Sequence, residues 1–162
     1  MFVKTKPMEA RLRKAERKDM PQVLKLIQEL ANFEKEPDAV DVTVAELEEE
    51  GFGDQPLFTC FVAEVAQTIV GMALVYFRFS TWKGRTVHLE DLIVTKAFRG
   101  KGIGKQLYNA VLAYAKEQGV RRAEWIVLNW NKGAIAMYEN SGAQFHKDWW
   151  LVEMNEQGLK KF

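Results

Sequence analysis

The sequence predicts a mixed α/β domain (an α+β sheet, antiparallel in its front half), and three observations carry that reading. Two β-rich runs, 57–65 and 69–79, are separated only by Ala66-Gln67-Thr68, the spacing of a hairpin. Apolar residues recur at three- and four-residue intervals before and after these runs, marking amphipathic helices. The second half reads as strand, glycine-rich loop, helix and strand, so both element types belong to one layered domain.

Taken in order, residues 1–8 read as a mobile leader ahead of a single domain over 9–162. Glu9 to Ala15 alternates Arg11 and Arg13 with Ala10, Leu12 and Ala15, which predicts a first strand. Asp19 is placed to cap a helix, with Pro21 in the first turn, where a missing N–H costs little. Val23, Leu24, Ile27, Leu30 and Ala31 carry that helix to about Phe33. Thr43-Val44-Ala45-Glu46 has the form of a capping box for a short acidic helix ending at Gly51. After the hairpin, Lys83-Gly84-Arg85 turns into a strand over Leu89–Val94. Ile103, Leu107, Ala110, Val111 and Tyr114 then stripe a helix that ends near Gly119. A strand over Ala123–Leu128, a helix over Lys132–Ser141 closed by Gly142, and further strand over Gln144–Met154 complete the expected order.

With 162 residues, 48% hydrophobic and 28% charged, the chain is neither disordered nor collagen-like. Its net charge of +1 argues against a polyanion coat and against nucleic acid as a partner. The charge is segregated, however. Glu34 to Glu50 holds eight acids against Lys35, and Thr95 to Arg122 holds seven bases against Glu117. The two blocks suit ligands of opposite sign. Cys60 is the sole cysteine and sits in an apolar run, which reads as a buried strand residue in a reducing cytoplasm. No signal-like start and no long apolar run point to a membrane.

The strongest chemical signal is Leu89-Glu90-Asp91-Leu92-Ile93-Val94 followed by Arg99-Gly100-Lys101-Gly102-Ile103-Gly104-Lys105. Alternate glycines let backbone N–H groups turn toward an anion, the helix N-terminus adds its dipole, and Arg99, Lys101 and Lys105 add charge. Two common phosphate motifs fail. A Walker loop needs Ser or Thr where Gln106 stands, and the dinucleotide fingerprint needs glycine where Lys105 stands. A glycine turn carrying solvated charges is the bland alternative.

Arg99-Gly100-Lys101-Gly102-Ile103-Gly104 resembles the (Arg/Gln)-x-x-Gly-x-(Gly/Ala) signature of the GCN5-related N-acetyltransferases (GNAT). The segments Glu29–Lys35, Gly51–Pro56 and Leu89–Asp91 resemble its diamine (spermidine/spermine) acetyltransferase subfamily. Ser80–Thr86 is most similar to the thialysine Nε-acetyltransferase branch. The resemblance implies the GNAT acyl-CoA fold, acetyl-CoA as acetyl donor, a small-molecule amine as acceptor and a homodimer.

It also implies roles for named residues. The loop from Arg99 to Lys105 holds the pyrophosphate, and the backbone of Leu92, Ile93 and Val94 meets the pantetheine arm and thioester oxygen. Asn131, Ala134 and Tyr138 match the family's Asn-x-x-(Ala/Ser)-x-x-x-Tyr segment, with Asn131 at the cofactor and Tyr138 as general acid toward the CoA sulfur. An amine has a pKa of about 10 and must lose a proton before attack, and Glu90 matches the family's carboxylate in that role. From the residues alone, Glu90 and Asp91 read equally well as a structural ion-pair network. Strand alternation is expected to send the two side chains to opposite faces. Phe33, Glu34, Trp82, Glu90 and Asp91 form the implied acceptor site, where carboxylates and aromatic faces suit a cation.

Ser80 stands where polyamine-acetylating members carry Asp, which favours a thialysine-like or other small amine over a long polycation. The C-terminal pattern is shortened to Lys147-Asp148-Trp149-Trp150, and the contribution of Asp148 to the acceptor site stays open. His88 and His146 lack zinc-ligand spacing and read as surface or packing residues. A true polyamine acetyltransferase, a non-catalytic CoA-binding module and a protein-lysine acetyltransferase are the alternatives.

Overall fold

The computed structural model describes residues 9–162, so the expected leader at 1–8 lies outside the described residues. The chain divides into two compact units, the first running to Leu128 and the second spanning Asn129–Phe162.

The first unit is built on one sheet in the order β1 (Arg11–Lys14), β2 (Thr59–Val65), β3 (Thr68–Ser80), β4 (Gly84–Val94) and β5 (Ala123–Glu124). The first three pairings are antiparallel and the last is parallel. The β2–β3 hairpin closes at Val65 opposite Thr68, with Ala66 and Gln67 both at positive φ (47° and 64°), the two-residue turn whose twist matches its strands.

Each face of the sheet buries its own core. Ile103, Leu107, Val111 and Ala115 of α3 (Ile103–Glu117) cover one face over Ala63, Val70, Ala73, Val87, Leu89 and Val94. Met20, Val23 and Leu26 of α1 (Met20–Phe33), with Leu47 of α2 (Val44–Phe52), cover the other over Val62, Met72, Leu74 and Ile93. Gly71 admits α3 closely: a side chain there would meet Ile93 O at 2.9 Å and Leu107 Cδ1 at 3.1 Å. Cys60 is buried in the α1 face, and burial pushes its thiol up to about 12.

The Thr43 capping box forms as expected: Oγ1 accepts from Glu46 N at 3.2 Å, and Glu46 Oε2 accepts from Thr43 N at 2.8 Å. Asp19 departs from expectation. It occupies the N-cap position of α1, yet its side chain does not cap that helix. It accepts from Glu16 N at 2.7 Å and takes both Arg13 Nη groups, at 2.6 and 3.1 Å. A guanidinium from β1 outcompetes the local N–H because the charged, bidentate contact is the stronger one. The expected strand at Ala123–Leu128 shortens to two residues, because β4 offers partners only at Val87 and His88.

The second unit contains α4 (Lys132–Asn140) and α5 (Glu156–Leu159). No strand forms over Gln144–Met154, contrary to expectation. The segment has the side chains of a strand, but a strand needs a ladder partner and none pairs with it, leaving Trp149, Trp150, Leu151 and Val152 exposed. No described helix is long and apolar enough to cross a membrane.

Candidate active site

The site begins at an irregularity. Leu74 of β3 pairs with Asp91, but the next residue, Val75, pairs with Leu89, so Glu90 is the extra residue of a β-bulge. Before the bulge, Val87 and Leu89 enter the α3-side core. After it, Leu92 and Val94 do so while Ile93 enters the α1 side. The pleat changes parity at Glu90. Glu90 and Asp91 therefore share the α1 side, and the expectation that alternation separates them is corrected: it holds only for an unbroken ladder.

Two carboxylates from one strand and one from a helix end thus act on each other. Burial, then the negative charges of Glu90 and Glu34, push Asp91 up to about 6. Glu34, at the C-cap of α1, is itself raised by desolvation. Glu90 moves the other way. The hydrogen bond from His88 holds it below the usual carboxylate range against the opposing effect of burial, with Tyr76 assisting. Tyr76 Oη donates to Glu90 Oε2 at 3.0 Å, and His88 Nε2 lies 3.4 Å from the same oxygen. His88 is only 7% exposed, so it is no surface residue. Its ring centroid lies 5.1 Å from that of Tyr76, and Arg78 Nη1 lies 3.3 Å from its Nδ1. This concentration of negative charge suits an organic cation. Among the described residues, no group of three or more His, Cys, Asp or Glu is arranged to hold a metal ion.

The anion side follows β4. β5 pairs with β4 only at Val87–Ala123 and His88–Glu124, so from Leu89 onward that edge of β4, through Leu92, Ile93 and Val94, has no strand partner among the described residues. The chain then passes through Gly100 (φ 73°) and Gly102 (φ 84°), the latter at the N-cap of α3. A Cβ on Gly100 would meet nothing within 4 Å, so the loop is open as well as left-handed. Gly104 packs toward Val94 Cγ2, Ile103 is buried beneath the loop, and Lys105 lies exposed. These residues fit a phosphate-bearing donor through N–H groups, helix dipole and lysines.

Arg99 is held within the protein. Its Nε donates to Val94 O at 2.7 Å, its Nη2 meets Glu29 Oε1 at 3.3 Å, and its guanidinium lies 5.0 Å from the Phe33 ring centre. Glu29 also accepts from Lys96 N at 2.8 Å, which ties α1 to the start of the loop. Lys101 sits 4.8 Å over Phe98.

Trp82 does not join the acidic group in this chain. It is 79% exposed at the β3–β4 tip, where Ser80 Oγ accepts from the backbone of Trp82 and Lys83. Strand geometry puts that tip roughly 17 Å from the bulge. In the second unit, Asn131 caps α4, its Oδ1 accepting from Ala134 N at 3.3 Å, and Tyr138 is buried on the same helix.

Sequence reasoning missed Tyr76, Arg78, His88 and Glu29. Two signals were present. His88 lies two residues before Glu90, hence on one face of a strand, and Glu29 lies one helical turn before Phe33.

Comparison with known proteins agrees with this geometry. The acetyltransferase (GNAT) family model matches residues 20–143. A thialysine N-epsilon-acetyltransferase from Bos taurus is 39% identical over 141 residues, covering 82% of this chain and 83% of the relative. A human spermidine/spermine N(1)-acetyltransferase-like protein 1 is 36% identical over 158 residues, covering 91% of this chain and 23% of that protein. A predicted acetyltransferase from Clostridium acetobutylicum, crystallised with acetyl-CoA, superimposes with a TM-score of 0.73 at 18% identity, over 90% of this chain and 96% of that one. A mixed sheet with an open β4 edge, a left-handed glycine loop at a helix N-terminus and these matches lead to one conclusion: the chain belongs to the GNAT family of N-acetyltransferases, whose acetyl donor is acetyl-CoA.

Proposed function

We propose that the protein acetylates a primary amine on a small cationic or amino-acid-like molecule, of the thialysine or diamine class, by direct attack on acetyl-CoA. The observation that carries this reading is the coupling of Glu34, Glu90 and Asp91 on one side of the sheet. A substrate ammonium is drawn to these carboxylates and gives up a proton to Glu90, directly or through water. The free amine attacks the thioester carbonyl carbon, and the oxyanion that develops takes hydrogen bonds from the unpaired main-chain edge around Leu92–Val94. Collapse breaks the carbon–sulfur bond, and Tyr138, a neutral donor, protonates the departing thiolate.

A second reading exchanges the carboxylates: Asp91 accepts the proton and Glu90 anchors the cation. The upward shift of Asp91 toward neutrality and the downward shift of Glu90 favour it, since a base works best with a pKa near the operating pH. We further propose that both units serve one catalytic domain, which the family match across their boundary supports. The protein works as a homodimer, a reading that the unpaired apolar segment Trp149–Val152 supports, and it resides in the cytoplasm, consistent with a free, buried Cys60.

The test is CoA release across thialysine, lysine, short diamines, aminopropyl compounds and spermidine. Thialysine and short diamines should turn over best. Preferential turnover of spermidine would establish the polyamine alternative, and stabilisation by acetyl-CoA without CoA release would establish the binding-module alternative. Tyr138→Phe should lower kcat about 100-fold with little change in the acetyl-CoA KM. Of Glu90→Gln and Asp91→Asn, the one that abolishes the acid limb of the rate profile names the base.

A further inference from the structure

A polar chain crosses three strands on the α1 side of the sheet. From β5, the Glu124 carboxylate forms ion pairs with Arg78 Nη1 and Arg122 Nε, each at 2.9 Å. From β3, the same Arg78 Nη1 meets His88 Nδ1 at 3.3 Å. From β4, His88 Nε2 meets Glu90 Oε2 at 3.4 Å, and Tyr76 Oη reaches the same oxygen from β3.

The donor inventory decides how this chain is wired. A guanidinium only donates, so His88 Nδ1 must present its lone pair to Arg78. The ring hydrogen is then on Nε2, the nitrogen 3.4 Å from Glu90 Oε2. Arg78 is anchored by Glu124 and cannot follow the ring if it turns. Oε2 of Glu90 thus has two donors, while Oε1 has no protein partner among the described residues.

We propose that His88, its tautomer fixed by Arg78, is a positioning residue for acetyl transfer: it holds the Glu90 carboxylate by Oε2 and leaves Oε1 to the substrate ammonium. The inference rests on the reading that Glu90 receives the amine. His88 moves no proton; it donates one hydrogen bond throughout the cycle. The charged and titratable groups around Glu90 are Tyr76 and Arg78 of β3 and His88 and Asp91 of β4, with Glu124 of β5 acting through Arg78 and Tyr76 and Glu34 of α1 through Asp91. Of these, the bond from His88 does most to hold Glu90 in its ionised form.

The first measurement needs no variant. Long-range proton–nitrogen NMR of the wild-type imidazole above about pH 8 should show hydrogen on Nε2 and a bare Nδ1. The opposite tautomer would overturn the proposal. The second uses carbon-13 NMR titration of the Glu90 carboxyl, assigned by its absence in Glu90→Gln. His88→Phe keeps a ring against Tyr76 but removes the donor. There the Glu90 titration should move up by about one pH unit, with the amine KM raised about tenfold and the acetyl-CoA KM unchanged. His88→Gln restores an amide donor and should return both toward wild type. An unmoved Glu90 titration in His88→Phe, alongside a crippled Glu90→Gln, would overturn the clamp alone. Wild-type turnover by Glu90→Gln would overturn the reading of Glu90 and the role of His88 with it.

Discussion

On the proposed function, Asp91 is the residue at which function works against stability. Below about pH 4 the carboxyl is protonated in both the folded and unfolded chains. Between there and its folded value of about 6, the folded chain keeps a proton that the unfolded chain has released. Stability therefore falls as pH rises through that window, and the loss is complete above it. Asp91→Asn should accordingly raise the melting temperature by about 3 °C or more at pH 8 and leave it nearly unchanged at pH 4, as read from thermal melts at the two values. Asp19 has the opposite sign, since Arg13 holds its carboxyl below the usual range, and its contribution is lost as pH falls through that lowered value. That Glu34, Glu90 and Asp91 are carboxylates is local and was legible. The reading as an acceptor site came from the family resemblance, since from the residues alone Glu90 and Asp91 fitted a structural ion-pair network equally well. Their shared face was not legible. It depends on Val75 pairing with Leu89 while Leu74 pairs with Asp91, a choice made across strands. For His88 the sequence left surface and packing open, and the structure shows the packing alternative; its partners Arg78 and Tyr76 were not legible because they come from β3.

At the scale of elements, the glycine loop shows what is legible when geometry and composition coincide. Gly100 and Gly102 take the left-handed backbone that their spacing suggested, directly ahead of α3. Because a Cβ on Gly100 meets no atom within 4 Å, Gly100→Ala tests the backbone alone. It should cost about 1 kcal/mol, seen as a melting point lowered by about 3 °C, and raise the acetyl-CoA KM as the loop relaxes from its anion-binding form. The element read wrongly was 144–154. Its alternation and aromatic residues fit a strand, but strand formation is a property of pairs, and the sequence of one segment carries no information about whether an edge will accept it. The Thr43–Glu46 box was read correctly because all of its atoms lie within one turn.

For the whole molecule, the near-zero net charge conceals two fields. The acidic block starts at the C-cap of α1, where burial raises Glu34, and the basic block begins at the glycine loop. On the proposed function a cationic acceptor is steered by the first field, and that attraction is screened over about 10 Å at 0.1 M salt. Raising ionic strength from about 0.05 to about 0.5 M should lower kcat/KM for a dication by about threefold or more, and much less for a monoamine of the same reactivity. Equal sensitivity for both amines would show that the acidic block contributes no steering. The net charge alone carried none of this; its distribution along the chain did.

The bulge at Glu90 also sets a rule for how this chain can vary. Removing that one residue would heal the ladder between β3 and β4 and so improve the sheet as a piece of architecture. The residues on either side would keep their faces, because without Glu90 the alternation through Leu89, Asp91 and Leu92 is unbroken; what would be lost is the second carboxylate beside Asp91 on the α1 side. A single-residue insertion or deletion elsewhere in β4 would shift one stretch of the strand against the other, while changes made two residues at a time preserve the frame. The ladder is interrupted once, and that interruption is what seats two neighbouring carboxylates of β4 on one side of the sheet.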